Sequence, residues 1–186
     1  MSHLKALLVA SALIITPAAS AQVFVIGNGL GGECYQKTKQ TSTSFMQADE
    51  ICTRALREGT MTRGNRAATY TNRGVLRMRN GRYEAALKDY DDALRLDPDL
   101  GAAYLNQGAA LIYMKDFTNA IGPLDQAIAL ESADLFAAYY NRAIARENTD
   151  DIPGAYQDFQ EALRLKPGWT LAQQQLSRFV VQPAEG

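Results

Sequence analysis

Residues of the same kind recur in this chain at intervals of 34 and 35. Tyr70, Tyr104 and Tyr139 form one column, Asn72, Asn106 and Asn141 a second, and Gly74, Gly108 and Ala143 a third. Ala86, Ala120 and Ala155 follow in step, then Tyr90, Leu124 and Phe159, then Ala93, Ala127 and Ala162. Leu96, Leu130 and Leu165 come next, and Pro98, Ser132 and Pro167 close each unit. A period of this length restricts the chain severely. One unit cannot bury its own apolar face, so successive units must stack and share a core.

Each unit divides into two helices. In the first, residues 67–80 make one helix, ended by Asn80-Gly81, and Tyr83–Leu96 makes the other, ended before Pro98. Tyr83, Leu87, Tyr90 and Leu94 recur at helical spacing and supply the buried stripe. Gly74 and Ala86 are small because paired antiparallel helices approach closely there.

The pattern resembles the tetratricopeptide repeat family in its period and in its aromatic, small-residue and proline positions. The resemblance spans 67–100, 101–135 and 136–169 as three repeats. Tyrosine replaces the usual tryptophan column, and Arg73, Gln107 and Arg142 stand where the family often has leucine. Ser132 replaces a proline, and one extra residue precedes Tyr139. The implied fold is all-α, a helix-turn-helix solenoid. Residues 33–66 read as a degenerate N-terminal helix pair, because Ala48, Cys52 and Ala55 imitate the spacing of Ala86, Tyr90 and Ala93. Ser44 with Gln47 reads as a capping box. Residues 170–181 read as a C-terminal capping helix, which a stacked array requires at its end, and 182–186 as a tail.

The first 21 residues read as a secretory signal peptide, with a short positive start, an apolar run from Ala6 to Ile15, and Ala19-Ser20-Ala21 as a small-x-small cleavage site. The expected location is periplasmic or secreted. A buried N-terminal helix is the alternative. The apolar run is too short to span a bilayer, and no later run approaches the roughly 18 apolar residues a transmembrane helix needs. Cleavage after Ala21 would leave 18 basic and 20 acidic residues and no histidine, since His3 is the only one. Nucleophile pairs that use histidine, and zinc sites that need it, are then excluded. The near balance of charge argues against a nucleic-acid binder. No enzyme activity, metal or cofactor is expected. In an oxidising compartment Cys34 and Cys52 would pair, closing a loop worth roughly 3 kcal/mol.

Residues 22–32 form a glycine-rich leader. Gly27-Asn28-Gly29-Leu30-Gly31-Gly32 satisfies a dinucleotide-binding pattern and follows a strand-like apolar run. The βαβ context that would confirm it is missing, so the leader reads as a segment whose apolar residues 23–26 pack on the array.

In a stack of this kind the first helix of each pair lines the concave face. Thr71, Val75, Met78 and Arg79 share a stripe in the first repeat, Leu105, Ala109, Ile112 and Tyr113 in the second, and Tyr140, Ile144, Glu147 and Asn148 in the third. Asn72, Asn106 and Asn141 border it. A carboxamide carries one acceptor and two donors, so it can hold both the N–H and the C=O of an extended peptide. The same residues could instead bond between neighbouring repeats, and the sequence leaves both readings open. Arg73, Arg77 and Arg79, and Asp89, Asp91 and Asp92, read as solvated surface. Asp91 with Arg95 reads as an exposed i, i+4 pair. A second mode in the family clamps a C-terminal carboxylate with lysines, but the matching positions hold Thr71, Val75, Ala137 and Asn141. The expected function is a non-catalytic scaffold that binds a protein or peptide, with Leu105, Ile112, Tyr140 and Ile144 as apolar anchors and the asparagines on backbone. The alternatives are self-association through residues 23–26 or the C-terminal helix, and a ligand role for the glycine leader. Oligomeric state is not fixed by the sequence.

Overall fold

The computed structural model describes residues 5–8, 17, 21–25, 29–40 and 44–182. Most of the apolar run of the signal segment, Ala19 and Ser20, the Ile26-Gly27-Asn28 stretch and residues 183–186 lie outside the described residues.

Nine helices occur among the described residues, eight of them in antiparallel pairs. α1 (Leu30–Lys39) pairs with α2 (Phe45–Glu58), α3 (Arg63–Arg79) with α4 (Tyr83–Leu96), α5 (Gly101–Tyr113) with α6 (Phe117–Ala129), and α7 (Leu135–Glu147) with α8 (Ile152–Leu165). α9 (Thr170–Leu176) closes the stack. The three repeats fold as their columns imply, an all-α solenoid. The column of small residues is a packing requirement. A Cβ on Gly74 would lie 2.4 Å from Cε1 of Tyr90, and one on Gly108 would lie 2.5 Å from Cγ of Leu124. The Tyr90, Leu124 and Phe159 column is fully buried against that seam.

The turn between the two helices of each repeat passes through the left-handed region at equivalent residues, Gly81 (φ 71°), Lys115 (φ 62°) and Asp150 (φ 65°). Only the first repeat supplies the glycine that this conformation favours. Thr62 and Asp151 cap α3 and α8, accepting from the backbone N–H of Asn65 and Gly154.

The N-terminal pair is cross-linked by a Cys34–Cys52 disulfide, with Cα atoms 4.7 Å apart and both cysteines fully buried. Three expectations need correction here. α1 starts at Leu30 rather than residue 33, so Gly31 and Gly32 belong to a helix and the leader is shorter. Ser44 occupies the N-cap of α2 without a side-chain cap bond, so the capping box does not form. The C-terminal helix stops at Leu176, and Phe179–Gln182 is a strand, β2, antiparallel to β1 (Lys5–Leu8). The run Phe179-Val180-Val181 is aromatic and β-branched, a composition that favours a paired strand over a helix end.

The arginines of α3 and α7 are not a solvated face. Arg73 donates from Nε and Nη2 to the two carboxylate oxygens of Asp89 at 3.1 and 2.7 Å. Arg77 joins at 3.0 Å and binds Asp49 at 2.8 Å. Asp89 is only 1 % exposed. Burial raises its carboxyl pKa, and the hydrogen bond and charge of Arg73, then the charge of Arg77, hold that rise back. The third repeat repeats the device: Arg142 grips Asp158 at 2.8 and 2.7 Å, Arg146 reaches the same carboxylate at 2.9 Å, and Arg142 also holds Asp125. The second repeat carries Gln107, Leu111 and Pro123 at the three equivalent positions, and Gln107 donates to Asp91 instead. Arg95 pairs with Asp92 rather than with Asp91.

Candidate functional site

The inner helices α3, α5 and α7 present the predicted stripe. Thr71, Val75, Leu105, Ala109, Ile112, Tyr140 and Ile144 all lie there, and all are buried. Part of what covers them is the chain itself. Ala21 belongs to the same apolar cluster as Leu105, Ile112, Tyr140 and Ile144.

Residues 21–25 run through the groove as an extended strap, and two of the three asparagines hold it. Asn106 donates from Nδ2 to the carbonyl of Ala21 at 2.6 Å, and its Oδ1 accepts from the Ala21 N–H at 2.9 Å. Asn72 does the same for Val23, at 2.7 Å and 3.0 Å. One carboxamide thus satisfies both backbone groups of one residue, and the next carboxamide takes the residue two positions away. That step is the side-chain period of extended chain. The partner of Asn72 and Asn106 is therefore extended backbone, one of the two readings the sequence left open. Asn141 is equally buried on the third repeat.

The side chains of the strap alternate. Ala21 and Val25 are each 4 % exposed, and Pro17, four residues earlier, is buried too. Between them Gln22 turns outward and donates to the Thr38 carbonyl at 3.2 Å, and Phe24, 65 % exposed, rests edge-on against Tyr35 at 5.3 Å. Arg79 donates to the same Thr38 carbonyl at 2.7 Å, which ties α3 to the end of α1. Its guanidinium pKa is lowered by burial. A cleft of about 600 Å³ lies beside the strap, lined by Phe24, Val25, Gly29, Leu30, Glu33 and Tyr35 among others.

The far end of the groove is polar. Arg178, just before β2, donates to Glu147 on α7, and the pair is buried. Among the described residues, Glu147 Oε1 and Arg178 Nε and Nη1 have no hydrogen-bond partner. Leu105, Ile112, Tyr140 and Ile144, expected as apolar anchors, are all buried, and the Tyr140 ring meets Phe159 at 5.4 Å and Trp169 at 4.7 Å. Sequence reasoning placed residues 23–26 on the array, as Val23 and Val25 are, but missed Ala21 beside them and Arg178. The signal for the strap was present in the alternation Ala21-x-Val23-x-Val25.

The glycine motif has no nucleotide-binding context. The two strands among the described residues pair antiparallel with each other, and no βαβ unit surrounds the glycines. Among the described residues no acidic, histidine or cysteine group is placed to hold a metal, and no helix is long and apolar enough to cross a membrane.

Stacked helix pairs with a residue-lined concave face define a repeat solenoid. The tetratricopeptide repeat family model matches residues 67–100, so the chain carries the tetratricopeptide repeat. It is 34 % identical over 88 residues to mouse protein unc-45 homolog B, a match covering 46 % of this chain and 9 % of that one. Among solved structures it is similar to MamA from Desulfovibrio magneticus, with a TM-score of 0.67 at 21 % identity over 80 % of this chain and 82 % of that one. It is also similar to the second tetratricopeptide domain of human RPAP3 in complex with the HSP70 peptide SGPTIEEVD, with a TM-score of 0.59, 27 % identity, and coverage of 62 % and 96 %. The matched stretch spans between 9 % and 27 % of the length of the first curated relatives.

Proposed function

We propose that this protein is a non-catalytic scaffold that binds an extended segment of another protein in its concave groove, and that it does so after export from the cytoplasm. One observation carries the reading. Asn72 and Asn106 each hold both backbone groups of a residue in extended chain. Such contacts read the backbone and leave side-chain choice to the pockets between them. Peptide binding by the RPAP3 domain supports a peptide ligand, but its acidic tail does not suit this groove. Thr71, Val75 and Ala137 are apolar or neutral and buried, and no lysine stands at those positions. Export is supported by the signal-like first 21 residues and by the Cys34–Cys52 bond, which persists in oxidising compartments.

The test is crosslinked capture of partners from envelope extracts with the full chain. In a chain whose strap is freed by Ala21→Pro/Val23→Pro, replacing Asn72 and Asn106 by alanine should lower recovery about tenfold, the effect of losing four backbone hydrogen bonds in part compensated by water. Unchanged recovery, with helical content intact, would count against the groove.

A further inference from the structure

The strap defines what the groove accepts. We propose that residues 21–25 are a tethered competitor for the groove, and that the trans ligand is an extended, uncharged segment with the strap's pattern. That pattern has small or β-branched apolar residues at alternate positions and a free N–H at two of them. The inference rests on the groove reading above and adds ligand chemistry and regulation to it.

The pattern follows from the contacts. Each asparagine accepts from an N–H, so proline is excluded at the two positions that Ala21 and Val23 fill. The position of Ala21 sits in the buried cluster of Leu105 and Ile112 and so calls for an apolar side chain. The position of Val25 faces Gly31, where a Cβ would already lie 3.1 Å from its Cγ1. The intervening residues are less buried: Gln22 reaches the Thr38 carbonyl and Phe24 is exposed against Tyr35, so these positions restrict the ligand less. Charge is not called for. Arg79 is spent on the Thr38 carbonyl, and the charge of Arg178 is balanced by Glu147 beside it, so the groove offers no net positive charge to an acidic ligand.

A tether makes the strap a strong competitor. Held in the same chain, it acts at an effective concentration in the millimolar range. Processing would shift that balance. Hydrolysis of the amide between Ala21 and Gln22 by a signal peptidase and one water leaves a carboxylate on Ala21 and an amine on Gln22. The residue on Asn106 then departs with the leader, and the residue on Asn72 stays. Ala21 is 4 % exposed in the folded chain, so the cut must precede folding, and a chain that folds uncut keeps its groove filled.

The experiment compares the full chain with its Ala21→Pro/Val23→Pro variant, which lacks both strap N–H donors. The probe is a fluorescein-labelled peptide of residues 17–25, read by anisotropy. The variant should bind it at least about tenfold more tightly than the wild-type chain, and adding Asn106→Ala should reverse most of that gain. Equal affinity of wild type and variant overturns the competitor role and leaves the groove reading standing. Absence of binding to both overturns the groove reading as well. Equal binding of an acidic peptide ending in EEVD overturns the ligand pattern. Amide exchange in the wild-type chain is the second measurement: protected Ala21 and Val23 amides are expected, and exchange at the unfolded rate overturns self-occupancy.

Discussion

Gly31 and Val25 meet where no side chain fits between them. A Cβ at residue 31 would lie 3.1 Å from Val25 Cγ1, 3.2 Å from Thr69 Oγ1 and 3.3 Å from Met61 Sδ. Gly31, a variable position inside the nucleotide-like motif, therefore serves packing, at a point where strap, α1 and α3 converge. A branched side chain at 31 has to displace one of the three, and Val25 Cγ1, the nearest, belongs to the strap. Gly31→Leu is expected to free residues 21–25 while α3 to α8 stay folded. Amide exchange would show loss of protection confined to Ala21 and Val23. Loss spread over the repeats would mean that the strap is integral to the core.

Gly74 and Gly108 have no such escape. The atoms a Cβ would strike belong to Tyr90 and Leu124, which are fully buried on the partner helix. Gly108→Ala is expected to destabilise the chain by about 1–3 kcal/mol despite alanine's better helix propensity. Urea denaturation would measure it. A stabilised variant would mean that α5 and α6 can separate at no cost.

The two arginine–aspartate clusters give a paired prediction. Asp158 holds Arg142 and Arg146 at once, so Asp158→Ala leaves them only the more exposed Asp125 and Asp151 and is expected to cost about 3 kcal/mol. Replacing all three with apolar or neutral residues, Arg142→Gln, Arg146→Leu and Asp158→Leu, is expected to recover most of that loss. The second repeat already carries Gln107 and Leu111 at the first two positions. Thermal denaturation of the single and triple variants decides the point, and a triple variant as unstable as the single one would contradict it.

These clusters also show where sequence reading stopped. The columns of Gly74, Ala86 and Tyr90 are apolar or small, and their period translates directly into packing. Arg73, Arg77 and Asp89 lie on two helices, 12 or 16 residues apart, so nothing in a helical wheel pairs them. Comparison of repeats would have: Arg, Arg and Asp become Gln, Leu and Pro together in the second unit and return together in the third. The asparagine column was legible as backbone-reading chemistry, because a carboxamide's donors and acceptor match one peptide unit. Its occupant was legible only in part: residues 23–26 read as packing on the array, but nothing tied them to the asparagines, and Ala21 belonged to a segment read as an address. The strand at Phe179–Gln182 escaped for a similar reason, since its partner lies at the other end of the chain.

The turn between paired helices yields the last prediction. Gly81, Lys115 and Asp150 share a left-handed backbone, yet only the first is a residue without a Cβ. A lysine there bears a local cost of about 1–2 kcal/mol, because its Cβ crowds the following carbonyl. Glycine removes that cost but loses more chain entropy on folding, so the net gain is smaller. Lys115 is an exposed turn residue, so the charge change carries little weight. Lys115→Gly is therefore expected to stabilise the protein by about 0.5–1 kcal/mol. Asp150→Gly should gain less, because aspartate tolerates this region better than lysine. Chemical denaturation of both variants tests the order, and a destabilised Lys115→Gly would show that the turn draws on contacts of the lysine side chain.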